Sequence, residues 1–294
     1  MTQFLQATVN GLLDGGLLAL VAVGFSLVWG VMNIVNLAHG AFVLIGAYIG
    51  WKLDSSAGIP PLLAMFVAAA ALLGVGYLVQ RYLINLVVNA PIWMTLLLTF
   101  GLSLVLVNGL VLLFTGDFRS IPTSYGSDGL TLGDVRIPYG RLIAFAIAIA
   151  FTLGLVWFMD RTRLGLAIKA TGMDRGAARL MGVKVRRVYG LTFGIAAGLA
   201  GAAGAIYGTV DTFSPADAGG FTLQSFVIAV LGGLGNMWGA LAGGLLLGVV
   251  QAWSGQYLGG TLINAVAFAV LVTVLIVRPA GLLGKPYYEA RVEV

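Results

Sequence analysis

Few side chains in this chain could do chemistry, and most of them sit among apolar neighbours. There is one histidine, His39, and no cysteine in 294 residues. A single aspartate, Asp14, interrupts the first long apolar run, and Thr95, Thr99 and Ser103 follow at four-residue spacing in another. Asn33 and Asn36 precede Ala38-His39-Gly40, and Asn236 follows Gly235. No nucleophile stands beside a base in the apolar stretches and no carboxylate pair lies there, so the chain reads as a non-enzyme. Disulfides and thiolate chemistry need cysteine, and one imidazole makes no zinc site, so no metal and no cofactor is expected. What remains is hydrogen bonding and proton handling. His39 could titrate near neutral pH and gate a proton, or could simply donate to a carbonyl. Asp14 is a functional candidate because a carboxylate in an apolar span is costly, yet its place beside Gly15 and Gly16 near one end lets it reach water. The Thr95, Thr99, Ser103 line could face a wet path, or its hydroxyls could bond to carbonyls of their own helix.

The elements that hold these groups follow from composition. A chain that is 60% hydrophobic, 9% charged and contains 43 glycines cannot expose that much apolar surface to water, so an integral membrane protein is expected. Apolar stretches near 9-30, 38-51, 61-81, 92-114, 141-159, 189-209, 222-235, 238-254 and 261-277 give nine candidate spans. The fold expected is an all-α polytopic bundle of about 8-10 transmembrane helices with short interrupted helices, in one transmembrane domain over 1-294. The N-terminal run lacks the cationic start of a cleaved signal and reads as a retained first helix. Glycines recur every four residues at Gly190, Gly194 and Gly198, at Gly204 and Gly208, at Gly239 and Gly243, and at Gly244 and Gly248. That spacing lets backbones approach closely where lipid provides no hydrophobic drive for helices to associate. The stretches around Asn33-Gly40 and Gly235-Ala240 resemble each other. This weak internal repeat of interrupted helices is the sign of segments meeting at a substrate path, although each could be a tight turn.

Charge then orients the bundle. Eight of the sixteen Lys and Arg residues lie between Arg161 and Arg187, opposed within those limits by Asp174 alone, so the loop at 160-188 is expected in the cytoplasm. Counting spans outward from it puts Arg81, Arg278 and Lys285 on the same side and the N-terminus outside. The segments 115-140 and 211-220 become outer loops, the first with little regular structure or a hairpin, both solvated or in contact with a soluble protein. Cations gathered in one loop leave no basic groove for phosphates, so nucleic acid is not an expected partner. Within the loop, Asp174 is a good N-cap, Ala177, Ala178, Arg179, Leu180 and Met181 are good helix formers, and Gly182 is placed to stop the helix. Such a helix would expose Leu180 and Met181 beside Arg175 and Arg179, which suits a docking surface for another protein. The chain has no GxxxxGK[ST] phosphate loop, so nucleotide hydrolysis would belong to that partner.

Four ordered motifs carry a resemblance across nearly the whole chain: NGLLDGGLLALVAVGFSLVWG with NLAHGAFVLIGAY, RTRLGLAIKATGMDRGAARLMGVKVRRVYGLTFGIAAGLAGAAGAIYG, LGGLGNMWGALAGGLLLGVVQ, and RPAGLLG. In these the chain resembles the permease subunits of branched-chain amino-acid ABC importers, a family that includes urea and short-chain amide permeases. The resemblance implies two cytoplasmic ATP-binding subunits that hold the ATP, a second homologous permease and an extracytoplasmic solute-binding protein, all working at a bacterial inner membrane and its lipid. It implies that Asp174-Gly182 is the coupling helix, and that Asn36, His39, Gly40 and Asn236 occupy signature positions; Asn33, Thr95 and Thr99 join them as path candidates. Asp14 departs from the small or hydroxyl residue that the resemblance leads one to expect. Branched-chain or other hydrophobic amino acids are the expected solutes, with urea or amides as the alternative. An ion-coupled secondary carrier and a passive channel are the rival classes, disfavoured by the scarcity of ionisable groups in the spans and of polar pore lining respectively.

Overall fold

A computed structural model describes residues 2-123 and 128-284. It consists of helices joined by short connections, with one small hairpin. In chain order the helices are α1 (Thr2–Met32), α2 (His39–Ala57), α3 (Pro61–Val79), a π-helical turn Gln80–Ile84, α4 (Asn85–Val87), α5 (Ile92–Phe114), α6 (Tyr139–Arg161), α7 (Arg163–Met173), α8 (Arg175–Leu180), α9 (Val185–Val210), α10 (Ala218–Gly232), α11 (Met237–Tyr257) and α12 (Ile263–Val277). Each of the nine candidate spans corresponds to a helix, and among the described residues seven helical stretches are long and apolar enough to cross a membrane. The exceptions are α2 and α10, the interrupted segments, of 19 and 15 residues.

α1, α2 and α9 form the core. Most of α1 and α9 is buried, whereas α5 and α12 lie at the periphery with most of their residues exposed. The glycine spacing explains how the core packs. Gly190, Gly194 and Gly198 face Tyr77, Leu73 and Ala69 of α3, while Gly204 faces Val43 and Ala47 of α2. On α11, Gly239 and Gly243 face α10, while Gly244 and Gly248 face Ala19, Gly15 and Gly11 of α1. A Cβ added at Gly244 would come within 2.6 Å of the Ala19 Cα, so only glycine permits this approach.

Two connections differ from a simple solvated loop. Residues 211-217, expected as an outer connector, turn inward: Phe213, Ser214 and Pro215 are buried, and Arg119 and Phe213 exchange backbone hydrogen bonds of 2.9 and 2.8 Å. Phe213 earns its burial by packing edge-on against Tyr48, which stacks on Phe114. The 115-140 segment contains the antiparallel hairpin β1 (Gly129–Leu132) and β2 (Val135–Pro138), turning at Gly133-Asp134. The RPAGLLG motif folds over the end of α10, where the Leu282 and Leu283 N–H groups donate to the carbonyls of Leu231 and Gly232 (2.8 and 3.0 Å) and satisfy that helix terminus. Arg81 and Arg278 lie on the face of the basic loop; Lys285, expected beside them, lies outside the described residues.

The contact between α2 and α9 is tight enough to test. Replacing Gly204 with Val would drive the new side chain into the Val43 carbonyl, and we expect a loss of about 1–3 kcal/mol, read as a lower midpoint for thermal unfolding in detergent. Gly74→Val, where nothing lies within 4 Å, should leave that midpoint unchanged.

Candidate functional site: an interrupted helix and a basic docking face

α1 ends at Met32 near the basic face, where Gly30 touches Gly172. The chain then takes six residues, Asn33 to Ala38, before α2 begins at His39. The His39 ring nitrogen Nε2 lies 2.9 Å from the Val21 carbonyl on α1, eleven residues back from Met32. Eleven helical residues rise about 16 Å, within the roughly 20 Å that six residues can reach, so the stretch 33-38 climbs back into the bundle and ends in a turn closed by the His39 N–H to the Asn36 carbonyl at 3.2 Å. Asn33, at φ 54°, makes the left-handed turn that starts the climb, and its N–H bonds to the Trp29 carbonyl at 2.8 Å.

Freed backbone groups at this depth need protein partners. Thr99 of α5 supplies one: its hydroxyl accepts from the Leu37 N–H at 3.2 Å and lies 3.1 Å from the Val35 carbonyl. Thr222 of α10 supplies another, accepting from the Gly40 N–H at 2.9 Å with the Leu37 carbonyl 3.2 Å away. Asn36, itself buried, accepts from the Ala38 N–H at 3.1 Å. Gly40 leaves room for α10, since a Cβ there would overlap the Ala218 carbonyl. Asn36, His39, Gly40 and Thr99 therefore meet at one junction between α1, α2, α5 and α10.

The remaining path candidates fall elsewhere. Thr95 donates to the Ile92 carbonyl of its own helix at 2.7 Å and, with Asn33, lines a cavity of about 500 Å³ that opens beside Asp174 and Arg175 on the basic face. Asn236 caps α11, accepting from the Gly239 N–H at 3.1 Å, and its amide donates to the Leu283 carbonyl. The two junctions likened in the sequence both contain a tight turn, closed by the His39 N–H to the Asn36 carbonyl at 3.2 Å in one and by the Asn236 N–H to the Gly233 carbonyl at 3.0 Å in the other, but only the first is preceded by a non-helical run, 33-36. They share the asparagine that accepts a backbone N–H at the next helix start, and Gly235 of the second meets Gly30 in the last turn of α1, just before the first. Thr222 was not foreseen, because a hydroxyl in an apolar helix does not reveal its partner. Asp14 pairs with Arg141 of α6 at 3.1 Å.

On the basic face, α7 precedes the short helix. It too escaped the sequence reading, although Thr162 accepts from the Gly165 N–H as its cap and Gly165, Ile168 and Thr171 form its buried face. α8 has both ends closed. The Asp174 carboxylate accepts from the Gly176 and Ala177 N–H groups at 2.6 and 3.0 Å, and these hydrogen bonds hold its pKa below the usual carboxylate range. A carboxyl whose folded pKa is lowered stabilises above its unfolded value and loses that contribution as pH falls through the folded one, so the cap is complete at neutral pH. At the other end Gly182, at φ 83°, donates to the Arg179 carbonyl and Val183 to the Ala178 carbonyl, the paired bonds of a Schellman stop. Ala178 is buried, while Leu180 and Met181 are 90% and 84% exposed beside Arg179. Arg175 reaches Asn89 at 3.5 Å.

The junction makes a direct prediction. Thr99→Val and Thr222→Val each strip the acceptor from a backbone N–H, a loss of about 1–3 kcal/mol when the group is buried. Amide exchange at Leu37 and Gly40 should accelerate in these variants while exchange along α9 stays as in the parent.

Comparison with known proteins then gives a consistent result. The profile of a family described as the branched-chain amino acid transport system permease component matches residues 7–277. The chain is 32% identical to the high-affinity branched-chain amino acid transport system permease protein BraD of Pseudomonas aeruginosa, over 97% of each chain. It is 31% identical to the corresponding LivH of Salmonella typhimurium, again over 97% of each. A probable LivH of the archaeon Methanocaldococcus jannaschii is 25% identical over 96% of this chain and 93% of its own. No solved structure matches.

Proposed function

The chain belongs to the family of branched-chain amino acid transport system permease components, and on that premise we propose that it forms the membrane path of an ATP-driven importer for branched-chain or other hydrophobic amino acids. The names of BraD and LivH carry the solute class. In this reading the partners are two ATP-binding subunits docked on the basic face, a second homologous permease alongside, and a solute-binding protein on the opposite face. The chain itself does no covalent chemistry.

Charge supports the orientation. Arg81, the eight cations from Arg161 to Arg187, and Arg278 lie on one face against Asp160 and Asp174. Lys52, Arg119, Arg136 and Arg141 lie on the other with seven aspartates. The positive-inside bias makes the first face cytoplasmic and puts α1's start outside. The single observation that carries the docking reading is α8: a two-turn helix capped at both ends presents exposed leucine and methionine side chains among arginines, a costly surface unless a partner covers it. Movement delivered there reaches α1 through the Gly30–Gly172 contact and the extended segment 33-38 through Met32 and Asn33. Partners that bind one packing of the bundle better than another select between outward-open and inward-open states.

The test is a double substitution. Arg179→Glu with Leu180→Glu should leave membrane insertion intact and abolish substrate-stimulated ATP hydrolysis by the reconstituted importer; undiminished leucine uptake by that variant would refute the docking role of α8.

A further inference from the structure

On the face opposite the basic loop, a cavity of about 360 Å³ opens between α1, α6, α9 and α10. Its volume falls in the range of small-molecule sites. Asp14, Asp211, Asp217 and Arg141 supply its charge, and Leu17, Leu18, Val210 and Phe221 supply an apolar wall. Gly220 carries no side chain into the opening.

The ion pair at its heart is unusual for a structural brace. Arg141 stands in the first turn of α6, where the helix dipole disfavours a cation, and the Asp14 carboxylate offsets that cost. Asp217 accepts from the Ser214 N–H and hydroxyl through Oδ2 and Asp211 from the Thr212 N–H through Oδ1, each leaving its second oxygen for a ligand. The pair remains accessible to water, with side-chain exposures of 31% for Arg141 and 42% for Asp14. Asp14 lies eight residues deeper along α1 than Gln6, about 12 Å, where Gln6 exchanges hydrogen bonds of 2.8 Å with the backbone of Arg136 in the hairpin. The pair therefore sits recessed below the outer surface rather than on it. Asp14 is contacted through Nη1, and the guanidinium has further N–H donors with which to grip a carboxylate. Three carboxylates against one guanidinium leave a formal charge of −2, which attracts a cation. A purely anionic ligand would be repelled, and a purely cationic one would leave the guanidinium unused. A molecule with an ammonium and a carboxylate on one carbon answers both, and the apolar wall accommodates a hydrocarbon side chain.

We propose that this cavity is an outer acceptor site for free α-amino acids, with Arg141 gripping the carboxylate and the Asp14, Asp211 and Asp217 group taking the ammonium. This rests on the reading of the chain as an amino-acid importer and locates the first contact of solute with the permease.

The test uses the complete importer, with its ATP-binding and solute-binding partners, in proteoliposomes supplied with ATP and labelled leucine. Arg141→Gln should slow uptake by about tenfold or more, the size expected for one lost charge-assisted contact, and Arg141→Lys should retain part of the rate. The exchange of Asp14→Arg with Arg141→Asp keeps an ion pair but reverses its direction. If that pair only braces α1 against α6, the exchange restores wild-type uptake, and this inference is overturned. If the pair receives the zwitterion, the exchanged protein assembles with its partners, as followed by co-purification, and still fails to transport. Should Arg141→Gln lose assembly, the exchange variant decides alone. Uptake by Arg141→Gln within about twofold of wild type also overturns the inference and leaves the importer reading standing. A wild-type importer that accumulates no amino acid overturns both.

Discussion

Inside a lipid bilayer a peptide group that leaves the helix must find its hydrogen-bond partner within the protein, and the arrangement of this molecule follows from that demand at residues 33-38. The extended stretch could not persist at this depth unless Thr99, Thr222, Asn36 and the His39 contact with Val21 closed around it. Those groups come from α5, α10 and α1, so three helices must approach α2 closely. Gly40 is the concession that lets α10 do so. The Thr99 hydroxyl is shared between several backbone groups, with the Leu37 N–H at 3.2 Å and the Val35 and Thr95 carbonyls at 3.1 and 2.9 Å, so one side chain serves two elements.

Close approach elsewhere rests on absence of side chains. α1 meets α11 through Gly11, Gly15, Gly244 and Gly248, and α3 meets α9 through Gly190, Gly194 and Gly198. Contacts of this kind gain dispersion and weak C–H hydrogen bonding with little interdigitation of side chains. α5 and α12, by contrast, are held by few neighbours and expose leucine, valine and isoleucine. The bundle is tightly packed at its centre and loosely contacted at its margins.

Much of this could be read from the residues. The four-residue glycine spacing identified which helix faces pack and that α9 and α11 each use two of them. Asp174 and Gly182 delimited α8 because capping and left-handed stops are local chemistry, decided within a few residues. Asn236 caps α11 and anchors the C-terminal motif, and an asparagine after a glycine reads the same from sequence whether it closes a turn, borders a path or does both. Thr222 and the Asp14–Arg141 pair depend on partners 182 and 127 positions away, and no local pattern announces contacts of that range. The burial of Phe213 was hidden for a similar reason, since a loop rich in Asp, Ser and Pro reads as solvated until Tyr48 is known to pack on its one aromatic ring.

The count of passages has a bearing on how such a subunit can be combined. With nine helices at the nine candidate spans among the described residues, Thr2 and Gly284 stand at opposite ends of the bundle. An odd number of passages thus separates Thr2 from Gly284, so joining the Gly284 end of one such bundle to the Thr2 end of another with both basic faces on one side would take an added crossing segment.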